Sequence, residues 1–190
     1  MAAISRFAPF KVALTLLAFS FVSAGHCGEA QAEWISGRTQ QGDGPMETFV
    51  PRRNVVLARG FSAGKPISFA KLRIAALGFY DLSVNGKTVT STAISQWTPY
   101  RERILADNYD IKPYLAGGGN RIEIELGNGW RNPYPLENFG LRMRRTLAVG
   151  DPCVKVWLTV GFADGSVEKI VSGADWEAAE GEVVYNSVYM

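Results

Sequence analysis

The sequence predicts an all-β protein built as an antiparallel sandwich, and three observations in its 190 residues carry that reading. Apolar residues recur at every second position over many short stretches, which is the strand period. Turn-forming dipeptides such as Asn85-Gly86 and Asp164-Gly165 separate those stretches at the spacing of a sandwich. Behind the N-terminal region no segment longer than about ten residues keeps a helical period, so an α/β enzyme fold is not expected.

Residues 1–24 place Arg6 and Lys11 ahead of an apolar run from Val12 to Val22, followed by the small residues Ser23 and Ala24. This is the pattern of an export signal peptide, with a run too short to span a bilayer comfortably. Cleavage after Ala24 and cleavage as late as Ala32 both put small residues where the peptidase needs them. His26 stands before Cys27 where a lipid-anchoring signal wants a small residue, which argues against a lipoprotein. The expectation is an exported protein, periplasmic or extracellular, with no membrane insertion and one domain over residues 33–190.

The chain carries 20 Lys and Arg against 18 Asp and Glu, and losing Arg6 and Lys11 with the signal balances the two. A balanced chain lacks the basic excess that nucleic acid or an anionic membrane selects. Cys27 and Cys153 are the two cysteines. Cleavage at the earlier site leaves a bridge between them open, and a buried free thiol at Cys153 is the favoured alternative. His26 is the sole histidine, so cleavage after Ala32 removes any histidine-based triad and most zinc sites with it.

In chain order, a short strand near Trp34 precedes an irregular Gly- and Pro-containing stretch over residues 39–51, and Asn54–Phe61 reads as the first full strand. Leu72, Ile74 and Ala76, then Tyr80, Leu82 and Val84, alternate on one face. Asn85-Gly86 tolerates positive φ and closes a hairpin onto Thr88-Val89. A helical turn is expected around Asp110–Leu115, and residues 117–120 turn the chain into the strand Arg121–Leu126. Val154–Phe162 and Val167–Val171 form a second hairpin across Asp164-Gly165, and a last strand is expected over Glu182–Tyr189.

No phosphate-binding glycine loop, CxxC pair or HExxH occurs. Glu123 and Glu125 share the wet face of one strand and read as solubility charges, whereas glycoside hydrolysis needs carboxyl groups on opposite sides of the scissile bond. Asp107, Asp110 and Asp164 fall at turns or strand ends, where aspartate bonds locally. Two segments stand out as ligand sites. Leu126–Leu136 presents Asn128, Trp130 and Asn132 in a stiff loop between glycines and prolines; an indole face suits a pyranose and amides suit its hydroxyls. Asn128 and the carbonyl at Pro133 are also oxygen donors of the kind calcium takes. The alternative for Trp130 is a plug at the end of the sandwich. Gln96–Arg103 brings Trp97, Tyr100 and Arg103 together as a ligand platform or interdomain contact, with Trp97 tucked into the core as the alternative.

The ordered series Ile74–Leu82, Val84-Asn85-Gly86-Lys87, Trp97-Thr98-Pro99-Tyr100 with Arg103, Tyr109-Asp110-Ile111 and Leu126-Gly127-Asn128-Gly129-Trp130 resembles the N-terminal domain of bacterial α-L-rhamnosidases of glycoside hydrolase family 78. Asn132-Pro133, Asp164-Gly165, Asp175-Trp176 and Tyr185-Asn186 continue it, so the resemblance covers residues 33–190. It implies a jelly-roll-like sandwich related to sugar-binding modules, some of which take L-rhamnose with calcium, and catalysis by a separate (α/α)₆ barrel downstream of Met190. The expected role is therefore a non-catalytic accessory domain, truncated before that barrel; a stand-alone secreted module for rhamnose-containing glycans and a packing domain without ligand are the alternatives. Partners implied are such a glycan or adjacent rhamnosidase domains. Two departures bear on the site. Arg131 stands where an aromatic usually follows the tryptophan, and Leu77-Gly78 offers no side-chain oxygen where some calcium-binding relatives have one.

Overall fold

A computed structural model describes residues 31–37, 53–93, 98–132 and 148–184. Within them nine strands form: β1 (Val55–Ala63), β2 (Ile67–Leu77), β3 (Phe79–Val84), β4 (Lys87–Ala93), β5 (Ala106–Asp110), β6 (Gly118–Gly127), β7 (Cys153–Phe162), β8 (Val167–Val171) and β9 (Glu177–Glu180). They pack as two antiparallel sheets, a first sheet in the order β4-β3-β6-β1-β9 and a second in the order β5-β2-β7-β8. Non-consecutive neighbours arise because the chain repeatedly crosses from one sheet to the other, the wiring of a jelly-roll-like sandwich.

Alternation in the sequence becomes burial in the fold. Leu72, Ile74 and Ala76 of β2 and Val154, Val156 and Leu158 of β7 point inward, against Leu57, Leu82, Ile122, Ile124 and Leu126 of the first sheet. Each fully buried Leu or Ile contributes roughly 1.5–3 kcal/mol by leaving water. Gly78 falls on the same inward phase, at the corner where β2 leaves the second sheet and β3 enters the first. With φ +112°, it sits where an added Cβ would lie 2.5 Å from the Gly127 carbonyl and 3.0 Å from Pro152. Only glycine fits that corner.

Residue pairings divide the sandwich into two ends. Phe79 pairs with Gly127, Tyr80 with Ala93, Ala75 with Ala106 and Leu77 with Cys153. The connections β2–β3, β4–β5 and β6–β7 therefore gather at one end, here the loop end. The opposite turn end holds the Asn85-Gly86 hairpin, the β1–β2 and β7–β8 turns, and the 3₁₀ turn Lys112–Tyr114 expected near Asp110–Leu115.

Asn85 (φ 52°) and Gly86 (φ 71°) make the expected tight hairpin turn. Asn85 donates to the Tyr114 carbonyl and to Asn120 Oδ1, each at 2.9 Å, and its own Oδ1 accepts from the Arg121 amide at 2.9 Å. Asn120, buried, accepts from the Ala116 amide at 2.8 Å and donates to the Ala116 and Gly118 carbonyls, each at 3.0 Å. Asp164 ties the β7–β8 turn through Ser166 and Lys65.

One expectation shifts. The short strand near Trp34 is a single bridge, Ile35 with Val154. A strand the sequence reading did not name, β9, pairs with the start of β1, while most of the strand expected over Glu182–Tyr189 lies outside the described residues. Beyond β9 Gly181 donates to the Asn54 carbonyl and the Asn54 amide donates to the Val183 carbonyl at 2.8 Å, while the Val183 amide takes the Asn54 side-chain oxygen. Residues 185–190, the export segment and Cys27 lie outside the described residues. Cys153 is buried, and desolvation, opposed by nearby Arg131, pushes its thiol up to about 11.

Candidate functional site

The candidate ligand residues from both sequence segments lie at the loop end, so far as the described residues reach, but apart from one another. Tyr100 and Arg103 lie in the β4–β5 connection, at the sandwich edge. Asn128, Trp130 and Asn132 follow β6, the middle strand of the first sheet, about two strand spacings, or roughly 10 Å, across the end. Trp97 and Pro133 lie outside the described residues.

The Pro99–Arg103 turn is closed by the Glu102 and Arg103 amides donating to the Pro99 carbonyl at 2.7 and 3.0 Å, and by Thr98 Oγ1 donating to the Arg103 carbonyl at 2.5 Å. Tyr100 is half-buried in it, and Arg103 is exposed.

The second segment is a compact turn. Gly129 takes positive φ (+47°) and rests on the Phe79 ring, where a Cβ would meet ring carbons at 3.0–3.1 Å. The Arg131 and Asn132 amides both donate to the Asn128 carbonyl at 3.1 Å, and Asn132 Nδ2 donates to Asn128 Oδ1 at 3.3 Å. Both asparagines are buried, so their amides shape the turn, and half-buried Trp130 is carried at its crest.

Arg131 is turned inward. Its guanidinium donates to the Ala148 and Asp151 carbonyls and lies against Gly150, whose amide in turn donates to the Arg131 carbonyl at 2.9 Å. The residue that departs from the family pattern thus clasps the strand leading into β7, and its donors face backbone carbonyls.

The described donors do not make a calcium site. Asn128 spends both oxygens on hydrogen bonds within its own turn, Leu77-Gly78 adds no side-chain oxygen, and no group of three or more His, Cys, Asp or Glu converges among the described residues. Calcium needs six to eight oxygens, carboxylates prominent among them.

Beside this turn, on the outer face of the first sheet, a cleft of about 160 Å³ is lined by Asn54, Phe79, Asp81, Glu125 and Val183. Asp81 and Glu125 are direct cross-strand partners. Glu123 behaves as expected, on the wet face, half-exposed and paired with Arg121 at 2.9 Å. Glu125 does not. The tail around Val183 folds over it, Asn54 Nδ2 donates to it, and its carboxyl is raised first by desolvation and then by Asp81 and Glu182. Alternation identified the face of Glu125; the covering tail, distant in sequence, had no signal.

A polar link joins the sheets nearby. Tyr80, fully buried on β3, donates to Asp107 of β5 at 2.6 Å and accepts from Tyr109 at 2.7 Å, having no second proton to give. Burial, then these bonds, push the Tyr80 phenol far above its usual range. Asp107, expected to bond locally, instead spans the two sheets.

The alpha-L-rhamnosidase N-terminal domain family matches residues 65–190, a span that runs from the start of β2 through both candidate segments to the last residue. The chain belongs to that family. It is 32% identical over 125 residues to an α-L-rhamnosidase of Streptomyces avermitilis and 30% identical over 133 residues to one of Formosa agariphila. These alignments cover 63% and 66% of this chain and 11% and 13% of those enzymes, so the chain spans a small fraction of their length. Among solved structures, the α-L-rhamnosidase of Dictyoglomus thermophilum superposes with a TM-score of 0.66 at 28% identity, over 83% of this chain and 17% of that one. The S. avermitilis enzyme, solved complexed with L-rhamnose, gives a TM-score of 0.61 at 31% identity, over 71% and 13%. The fold and family expected from the residue series are those found.

Proposed function

We propose that this chain is an exported, non-catalytic accessory domain acting in rhamnoside breakdown, and that its loop end holds an L-rhamnose-containing glycan. The observation that carries this reading is the family match itself. It takes in most of the sandwich and both candidate segments, while the rhamnosidases it aligns with are several times longer than this chain. Trp130 supplies the stacking face, Asn128 and Asn132 fix the turn that presents it, and Tyr100 and Arg103 flank it from the β4–β5 edge. Because Arg131 is spent on carbonyls and the oxygen donors on the turn itself, binding here does not depend on calcium.

Calorimetric titration of the purified chain with L-rhamnose tests this. A heat signal is expected that survives chelation of calcium and disappears in Trp130→Ala; no heat at millimolar sugar sinks the reading. The chain is expected to leave an aryl α-L-rhamnoside intact, and release of the aryl group would overturn the non-catalytic assignment.

One observation favours a second reading, a docking surface for an adjacent rhamnosidase domain. Ile104, Leu105, Val183 and Val184 are large apolar residues between 36% and 43% exposed, all at the loop end. On that reading Trp130→Ala leaves sugar titrations unchanged because there is no signal to lose.

A further inference from the structure

The outer face of the second sheet is remote in kind from the loop end. Its central rung runs Asn108–Arg73–Trp157–Val171 across β5, β2, β7 and β8. Lys71 and Lys169 border it through Thr159 on one side, and Lys155 borders it on the other. Together these residues line a trough of about 590 Å³ with four cationic side chains and, among the described residues, no carboxylate. The Arg73 guanidinium lies 5.6 Å from the Trp157 ring centroid, and Lys155 Nζ lies 5.5 Å from that of Trp34. Asp110, at the margin, pairs with Lys71 at 3.1 Å, both exposed. Among the described residues the outer face of the first sheet has the opposite character, with Asp81, Glu123, Glu125 and Glu177 around Arg121. The described residues of the two sheets thus present faces of opposite charge.

We propose that this trough binds an acidic polysaccharide, a chain of sugar rings bearing carboxylates. Lys71 and Arg73 stand two residues apart along β2, roughly 7 Å, and Lys71 and Lys169 stand two strands apart across the sheet, roughly 10 Å, so they address several small anions along a line rather than one. Trp157 offers an amphipathic floor on which a pyranose face can lie, and Asn108 and Thr159 offer partners for hydroxyls. Long, exposed lysines neutralise carboxylates without a dehydrated site, which gives modest affinity and a steep salt dependence.

The test is native electrophoresis of the full chain through gels containing polygalacturonate, uncharged dextran or polyglutamate. Retardation by polygalacturonate alone is expected, weakening as salt is added and weakening roughly tenfold in the Arg73→Gln/Lys155→Gln double variant. Lys65→Gln/Lys112→Gln removes the same charge at the turn end and is expected to bind as the parent does. Thermal melting of both double variants reports that they fold, and the salt series on the parent stands without them. No retardation, equal retardation by dextran or by polyglutamate, or equal loss in the Lys65/Lys112 control overturns the proposal. So does self-association in sedimentation that Arg73→Gln/Lys155→Gln abolishes, since the face would then belong to the acidic side of a second copy. L-rhamnose titration of the double variant separates this site from the loop end: its heat is expected to be unchanged.

Discussion

At the turn end, Asn85 and Asn120 bind the β3–β4 hairpin, the 3₁₀ turn and the start of β6 into one network in which every amide donor and acceptor has a partner. At the loop end the same closure is made by close approach of backbones: Gly78 under the Gly127 carbonyl, Gly129 on the Phe79 ring, and Arg131 against Gly150. One end is held by side-chain amides that could be written into short turns. The other is held by missing side chains and a guanidinium, which leaves longer connections free to vary. Rigid turns opposite variable loops is the arrangement in which binding residues accumulate on a scaffold.

The sharpest way to break this contrast is Gly78→Ala. Positive φ and a methyl group pressed on a carbonyl combine strain and overpacking, with an expected loss of about 3 kcal/mol in urea unfolding. A loss below about 1 kcal/mol would mean the corner relaxes easily and the loop end is not closed by backbone contact. Asn120→Ala comes next. It strands the Ala116 amide and one Asn85 donor in a buried setting, at about 2 kcal/mol, and hydrogen exchange is expected to quicken around Asn85 and Tyr114.

Arg131→Met keeps the apolar stem and removes the clasp, at about 1 kcal/mol. Its signature is local, with faster exchange at the Gly150 amide and no change at the turn end. The smallest effect is Glu125→Gln. Because the folded state raises this carboxyl, the fold binds its proton more readily than the unfolded chain does, so stability falls as pH rises from the ordinary carboxylate value of 4.5 through the raised one. Gln keeps an acceptor for Asn54 and carries no charge. The variant is expected to match the parent at pH 4 and exceed it at pH 7 by less than about 1 kcal/mol, given solvent screening. The reverse order with pH would show that Asn54 outweighs desolvation.

Most of the sandwich was legible because period-two burial is local. Leu72 to Ala76 and Tyr80 to Val84 could be placed on the core face from spacing alone, and Asn85-Gly86 named its own turn. What spacing could not supply were partners distant in the chain. Asp107 lies 27 residues from Tyr80, and Val183 lies 129 residues from Asn54. β9, whose residues Glu177–Glu180 are all exposed, offers no alternation to read, and its pairing with the start of β1 comes from far along the chain. At the candidate site the residue types were readable and their burial was not. Asn128 and Asn132 carry the chemistry of hydroxyl recognition in sequence, and spend it on their own turn in the fold.

The Tyr80 link bears on how this protein stays apart from its neighbours. Among the described residues β5 is a five-residue edge strand with little buried surface of its own and no strand beyond it. Such edges recruit strands from other molecules when they peel or flatten. A phenol anchored in the first sheet and bonded to two residues of β5 rivets that edge across the interlayer, and it keeps its proton through the whole pH range in which carboxylates and amines titrate. The rivet therefore guards β2 beneath it from becoming a template for another strand.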